Sequence, residues 1–282
     1  MTFWLNGEWR EEKTAISIAD RGFLLGDGLF ETIFMKNGAA AFLDDHLARL
    51  SAGLQMLGIN ASSPGNIAAI LAELAERNGL TDKVAAARIS MSRGVSERGL
   101  LFPEGSDPTV LITASPAAIA GGSAALIVSA YRRSQHSVAA RCKASAYLDN
   151  VLARNEARDR SVDEAIMLNG EGRVACASSA NLFLILKDGS VVTPPVGEGA
   201  LPGIIRGMLL AAAPEIGAEI REDAIRLDDL RRGALFLTNS LIGLRPAFLQ
   251  GEKPPASELF IRLSAWYENR LADSLREGSS RL

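Results

Sequence analysis

Turn chemistry set between short apolar runs is the strongest constraint on how this chain folds. Asn6-Gly7 lies between Trp4-Leu5 and Glu8-Trp9, the signature of a two-residue hairpin. Lys36-Asn37-Gly38 closes a strand-like run from Leu29 to Met35 and leads into Ala40-Ala41-Phe42-Leu43, and Asp188-Gly189 marks another hairpin. Stretches of helical spacing alternate with these strands. Leu47, Leu50, Leu54 and Leu57 recur on one face, with Asp44 placed to cap the helix, Gly58 placed to stop it and Arg49 on the opposite face. A second helix is expected from Pro64 to Arg77, ending at Asn78-Gly79, followed by strands at 84–93 and 109–114.

The small, apolar, glycine-ended stretch ASPAAIAGG reads as a connection between domains. The expected organisation is a small N-terminal α+β domain over 1–115, a linker at 116–123 and a larger C-terminal mixed α/β domain over 124–282. In the second part the pattern predicts a strand from Ala124 to Tyr131, a helix from about Tyr147 to Arg160 and strands at 164–169, 173–176 and 182–186. Leu201-Pro202-Gly203 opens a helix running to about Pro214; a strand at 234–239 and an amphipathic helix at 256–276 complete the reading.

Composition narrows the function. With 282 residues, 48% of them hydrophobic, the chain can bury a sizeable core. A net charge of −3, with basic runs no longer than pairs such as Arg132-Arg133 and Arg231-Arg232, argues against nucleic acid as partner. Apolar stretches such as Ala124 to Ala130 and Ala234 to Leu237 fall far short of the roughly 20 residues that cross a bilayer. The opening MTFWLNGEWREE lacks the basic start and apolar run of a signal peptide, so a cytoplasmic protein is expected. The two histidines (His46, His136) and two cysteines (Cys142, Cys176) show no C-x-x-C or His-x-x-x-His spacing, which argues against a zinc site. No G-x-S-x-G elbow is present, and GDGLFET and LPGIIRG match neither the Walker A pattern nor the dinucleotide fingerprint. Lysine, carboxylates or a bound organic cofactor remain as carriers of chemistry.

Lys143 stands between a predicted strand and helix, flanked by Cys142 and Ala144 rather than by solvating charges. Desolvation lowers an amine's pKa, as a lysine that attacks a carbonyl near neutral pH requires; the same residue also reads as a surface lysine at a helix start. Gly203 precedes a helix whose first N–H groups suit a phosphate, although Pro-Gly there is also ordinary turn chemistry. Thr238-Asn239-Ser240 ends an apolar strand with three polar side chains, suited to ligand contacts or to capping a turn. In SRGVSERGL, Arg93 and Arg98 form either a clamp for substrate carboxylates or a charged hairpin tip.

Taken in order, seven segments resemble the fold-type IV pyridoxal phosphate family of branched-chain aminotransferases, D-amino-acid aminotransferases and 4-amino-4-deoxychorismate lyase. They are DRGFLLGDGLFET, the His46-Leu47-Ala48-Arg49 helix, KASAYLDNVLARNEA, DEAIMLNGEGRV, SSANLF, LPGIIRG and LTNSLIGLRP, and they cover nearly the whole chain. The resemblance implies a two-domain fold and pyridoxal 5'-phosphate as cofactor. Lys143 matches the lysine that carries the cofactor and shuttles protons at the reacting carbon. Arg49, the N–H groups of Ile204 and Ile205, and Ser240 match the phosphate cup, with Ser179 and Asn239 among the cofactor-binding positions. Tyr147 resembles the phenol beside the cofactor's ring oxygen, Phe30 a wall of the substrate pocket, and Arg98 the arginine that meets a substrate carboxylate. The family also implies a homodimer acting on a small amine.

Three positions depart from the family pattern. Ala146 replaces the usual Asn three residues after the lysine, and Ile205 replaces a common threonine, leaving only its amide. Cys176, five residues before Asn181, replaces the carboxylate that meets the pyridine nitrogen. A carboxylate keeps that nitrogen protonated and the ring a strong electron sink; a neutral thiol is a weak donor. Transamination depends on that sink more than pyruvate elimination does, because aromatisation of the substrate ring drives the elimination. The RGVSERGL loop and the Asn-Ser-Leu run resemble the lyases, so a lyase is expected. An aminotransferase of D-amino or branched-chain acids is the second expectation, and a weakly active or non-catalytic relative the third.

Overall fold

The computed structural model describes residues 1–61, 65–105, 107–254 and 256–280. Backbone pairing resolves into two sheets, each at the centre of one compact unit. Unit 1 takes Met1–Ala118 together with Cys142–Ala146 and Arg270–Leu282; unit 2 takes Ile119–Arg141 and Tyr147–Asn269.

In unit 1 the chain runs β1 (Thr2–Leu5), β2 (Glu8–Glu11), α1 (Arg21–Leu25), β3 (Gly28–Lys36), β4 (Ala39–Ala40), α2 (Leu43–Leu57), α3 (Ile67–Arg77), β5 (Val84–Ser92) and β6 (Thr109–Pro116). The strands form one antiparallel sheet in the order β2-β1-β6-β5-β3-β4. Asn6 and Gly7 both adopt positive φ, as the expected hairpin turn demands. Alternation along β3 sends Leu29, Glu31, Ile33 and Met35 to one face, all buried, and α2 packs on this strand while α3 packs on β1 and β6.

Several local expectations change. Asp44 lies inside the first turn of α2 and does not cap it: Phe42 is the N-cap, in the left-handed region, and its N–H donates to Ser274 Oγ at 2.7 Å. Gly58 ends α2 as expected. Pro64, the expected start of the second helix, lies outside the described residues, and the cap is Asn66, whose Oδ1 accepts from Ala69 N. The helix α1 was not anticipated; Asp20 caps it by accepting from Gly22 N. Two stretches that the sequence reading placed in the C-terminal domain cluster with unit 1. The reason for the first is pairing: Phe30 N donates to Lys143 O at 2.9 Å and Ser145 N to Gly28 O at 2.8 Å, so this segment occupies the edge of β3 that β4 leaves uncovered. For the second, Ser274 holds Phe42 and Gly278 lies against Ala39 and Ala40.

Unit 2 contains β7 (Ala124–Arg132), α4 (Val138–Arg141), α5 (Leu148–Asp159), β8 (Glu164–Leu168), β9 (Val174–Ala177), β10 (Asn181–Ile185), β11 (Val191–Thr193), α6 (Ile204–Ala211), α7 (Ala213–Ile216), β12 (Ile220–Glu222), β13 (Ala234–Asn239), β14 (Gly243–Leu249) and most of α8 (Glu258–Ser280). The eight strands form a mixed sheet in the order β12-β11-β10-β13-β14-β7-β8-β9. Edge strand β9 returns to β10 through a tight turn closed by Ala177 N donating to Ala180 O, which curls the sheet. Its core holds Leu126, Ile166, Leu182, Leu184 and Leu237, all essentially fully buried. The helix expected to reach Pro214 stops at Ala211, because Pro214 lies in the first turn of a new helix, α7, where its missing N–H costs nothing. Among the described residues no helix is long and apolar enough to cross a membrane.

Candidate active site

Lys143 is half-buried, and its Nζ lies 4.4 Å from the centroid of the Phe30 ring. Phe30 is the third residue of strand β3, with which the Lys143 segment pairs, so the backbone ladder fixes lysine and ring together. Arg88, on the neighbouring strand β5, places its guanidinium carbon 3.8 Å from the same ring centroid and donates from Nε to Ser90 Oγ at 3.0 Å.

On the other face of β3 sits a buried charge cluster. Glu31 accepts from His46 Nδ1 at 2.7 Å, and Arg49 donates to it from Nε at 2.8 Å and Nη2 at 2.6 Å. Burial alone would raise the Glu31 pKa, but the hydrogen bonds from His46 and Arg49 and the charge of Arg49 hold it below the ordinary carboxylate range. The His46 pKa is lowered, first by burial and further by the charges of Arg49 and Lys143, against the pull of Glu31. A neutral imidazole facing an ionised carboxylate must carry its proton on Nδ1. Sequence reasoning included His46 in a motif and missed Glu31; the signal was a lone charge at a core-facing position of an apolar strand.

Arg93 is not a substrate clamp. It is buried, donates to Asp27 from Nε and Nη2, and caps α2 through Leu57 O at 2.8 Å and Gly58 O at 2.9 Å. Arg21 binds the same carboxylate at 2.8 Å. Burial raises the Asp27 pKa, but its bonds to Arg93 and Arg21 outweigh that and keep it low. Arg98 stands exposed on the bend that follows, and the structure does not bring it to Lys143 or Phe30 through any hydrogen bond, ion pair or ring contact among the described residues.

In unit 2, Cys176 lies in the middle of β9 opposite Met167, buried, and desolvation raises its thiol pKa; the Arg133 charge opposes this and Glu164 adds to it. It is therefore a neutral thiol. Arg133 is committed elsewhere, donating to Gly199 O at 2.6 Å, Asn150 Oδ1 at 3.0 Å and Ala140 O at 3.3 Å. Glu164 accepts from Ser178 Oγ, from Ser179 N at 2.9 Å and Ser179 Oγ at 3.0 Å. Tyr147 is half-buried at the N-cap of α5.

The first turn of α6 brings the remaining positions together. Ile204 and Ile205 open this helix, whose N-cap Gly203 supplies no side chain, so their N–H groups face outward along the helix dipole. A Cβ on Gly203 would meet Asn181 Oδ1 at 2.0 Å, and Asn181 Nδ2 holds Leu201 O at 2.9 Å. Asn181 pairs across the sheet with Thr238, so both side chains share a face. Thr238 Oγ1 is buried without a hydrogen-bond partner. Ser240 follows two residues later, half-buried. Asn239 serves the turn instead: its Oδ1 accepts from Leu241 N and Ile242 N, and its Nδ2 donates to Ser179 O at 3.0 Å. An uncapped helix N-terminus beside an orphaned buried hydroxyl fits an anionic group such as a phosphate. Thr238 is the member of this cluster that the sequence reading passed over in favour of its two neighbours.

The model of the amino-transferase class IV family matches residues 28–247. The chain belongs to that family. Class IV enzymes depend on pyridoxal phosphate, and this chain is a pyridoxal-phosphate-dependent lyase or aminotransferase of class IV. It is 33% identical over 254 residues to a putative branched-chain-amino-acid aminotransferase of Methanocaldococcus jannaschii, covering 88% of this chain and 87% of that one. It is 31% identical over 249 residues to the aminodeoxychorismate lyase of Bacillus subtilis, covering 86% and 84%. The solved 4-amino-4-deoxychorismate lyase from Pseudomonas aeruginosa superposes with a TM-score of 0.81 at 30% identity, over 97% of this chain and 99% of that one. The class IV fold thus matches the expected fold-type IV architecture, with lyases and aminotransferases about equally similar.

Proposed function

We propose that this class IV enzyme eliminates pyruvate from 4-amino-4-deoxychorismate to give 4-aminobenzoate, using pyridoxal 5'-phosphate. The observation that carries the choice of elimination over amino-group transfer is Cys176: a buried, neutral thiol at the position where the resemblance puts a carboxylate. Bound pyridoxal phosphate supplies an electron sink for the carbon bearing the amino group. Lys143 holds the cofactor and moves the proton at that carbon. The N–H groups of Ile204 and Ile205 and the Ser240 hydroxyl take the phosphate, and Thr238 joins them through its orphaned hydroxyl. Arg49, which the resemblance also assigns to the phosphate, belongs to unit 1, where its Nε and Nη2 donate to Glu31. Tyr147, Ser179 and Asn239 border the cofactor, the last two joined by the bond from Asn239 Nδ2 to Ser179 O. Phe30 walls the substrate. In the overall change the ring C–H bond and the ring C–O bond to the enolpyruvyl group break, the methylene carbon of the departing group gains the proton, and the ring becomes aromatic. The enzyme is a cytoplasmic homodimer on this reading.

An aminotransferase of branched-chain or D-amino acids is the second reading, supported by the similarity to the archaeal branched-chain relative. Incubating the holoenzyme with aminodeoxychorismate, and separately with amino acids plus a 2-keto acid, separates them. Release of pyruvate and 4-aminobenzoate supports the lyase; transfer to the keto acid without it refutes the lyase. Cys176→Glu is expected to raise half-transamination with an amino acid, and an unchanged rate would sink the role given to the thiol.

A further inference from the structure

Helix α8 carries an aromatic and aliphatic stripe along β13 toward the turn that holds Ser240. Phe260 packs edge-on against Phe236, ring centroids 5.5 Å apart, and Phe236 stacks in turn on Phe183 of β10 at 4.8 Å. Leu263 and Tyr267 follow at helical spacing, and both are buried. From Phe260 to Tyr267 is two helical turns, about 10 Å, and from Phe236 to Asn239 is three strand residues, also about 10 Å. The Tyr267 ring therefore arrives at the end of β13. The backbone records the contact at Gly243, which pairs with Asn239 across the hairpin. A Cβ on Gly243 would meet Tyr267 Cε1 at 2.5 Å, Cζ at 3.2 Å and Cδ1 at 3.3 Å. Gly243 also has φ +60°, so glycine suits the position in conformation as well as in space.

The turn is held at three points. From within, Asn239 Oδ1 accepts from Leu241 N and Ile242 N, both at 2.9 Å. To one side, Asn239 Nδ2 donates to Ser179 O at 3.0 Å. At the far end, the Tyr267 ring fills the space that a side chain on Gly243 would take. A hydrogen bond weakens steeply as its angle and length depart from the optimum, so the placement of this turn decides what the Ser240 hydroxyl is worth to an anion.

We propose that Tyr267 is a positioning residue for the phosphate site: its ring, wedged against Gly243, holds the turn where the Ser240 hydroxyl reaches the phosphate. The inference rests on the proposed function in taking Ser240 as a phosphate contact and Lys143 as the residue that holds the cofactor.

The test compares two probes that differ in one group, pyridoxal 5'-phosphate and pyridoxal. Each is titrated into the purified chain freed of bound cofactor, and the visible band gives a half-saturating concentration independently of turnover. Tyr267→Leu is expected to raise that concentration about three- to tenfold for pyridoxal phosphate, the range of one weakened hydrogen bond, and to leave pyridoxal within about twofold. Tyr267→Phe, which keeps the ring, should match wild type with both probes to within about twofold. Gly243→Ala should weaken pyridoxal phosphate at least as much as Tyr267→Leu does, and it stands in if the leucine variant fails to fold. Combining Gly243→Ala with Tyr267→Leu should cost less than the product of the two losses, because the added methyl enters space the ring has left. Equal losses with both probes, or no loss with pyridoxal phosphate, would overturn the positioning role. Ser240→Ala tests the underlying reading separately: it should weaken pyridoxal phosphate about ten- to a hundredfold and leave pyridoxal within about twofold. If it treats both probes alike, Ser240 is not a phosphate contact, and this inference falls with that assignment. Absence of a visible band and of a borohydride-trapped adduct on Lys143 in the wild type would instead remove the proposed function, and this inference with it.

Discussion

Two buried polar clusters in this molecule treat charge in opposite ways. In unit 1, Glu31 is buried yet ionised, because His46 and Arg49 supply three hydrogen bonds and a compensating charge. In unit 2, Cys176 is equally buried but neutral, and the cation beside it, Arg133, spends its donors on Gly199, Asn150 and Ala140. A buried carboxylate persists only where partners replace its water; a buried thiol needs none, since it avoids the charge. The comparison shows that the chain retains the means to hold a buried anion and does not use them at Cys176. That contrast underlies the choice of elimination over transamination.

The difference predicts unequal responses to truncation and to pH. Glu31→Ala strands the Arg49 charge against apolar strands and should cost about 3–5 kcal/mol in denaturant unfolding, the usual penalty for half of a broken buried pair. A loss below about 1 kcal/mol would show that Arg49 relaxes into water and that the cluster is not tight. The pH response should come next in size and differ in sign between the clusters. His46 and Glu31 both have lowered pKa values in the fold, so the unfolded chain binds more protons and stability falls as pH drops. The fall begins near 6.5, the ordinary value of His46, and steepens below 4.5, that of Glu31. His46→Asn should remove the first part and keep the second; an unchanged profile above pH 4.5 would contradict the neutral, buried imidazole. Cys176 has a raised pKa, so its contribution is full below 9.0 and is lost as pH rises beyond that value. Cys176→Ala should flatten that alkaline arm and cost only about 1 kcal/mol at neutral pH, as removal of a small buried group does.

The same contrast marks what the sequence made legible. Local signals carried well: Asn6-Gly7 gave its hairpin, Gly58 its helix stop, and the apolar runs around β8, β10 and β13 their strands. Long-range pairing was hidden. β14 contains Arg245 and Pro246 and is not among the expected strands, yet it is paired on both sides, antiparallel to β13 and parallel to β7. The Lys143 segment looks like a strand-to-helix connection and proves to be an edge partner of β3, a contact over one hundred residues away in sequence that no local pattern encodes. At the site, motif residues were legible one at a time, whereas their partners were not. Arg93 reads equally as a clamp or a hairpin tip until its donors are seen capping α2, and Thr238 as a ligand contact or a turn cap until its hydroxyl is found buried and unpaired.

The central claim is that Lys143 holds pyridoxal phosphate in this chain. The most direct measurement is the absorbance of the purified protein from about 300 to 500 nm with added pyridoxal phosphate, before and after borohydride, followed by peptide mapping. A visible band that borohydride bleaches, with the reduced adduct on Lys143, is the predicted result. No band, or an adduct on another lysine, would contradict the account.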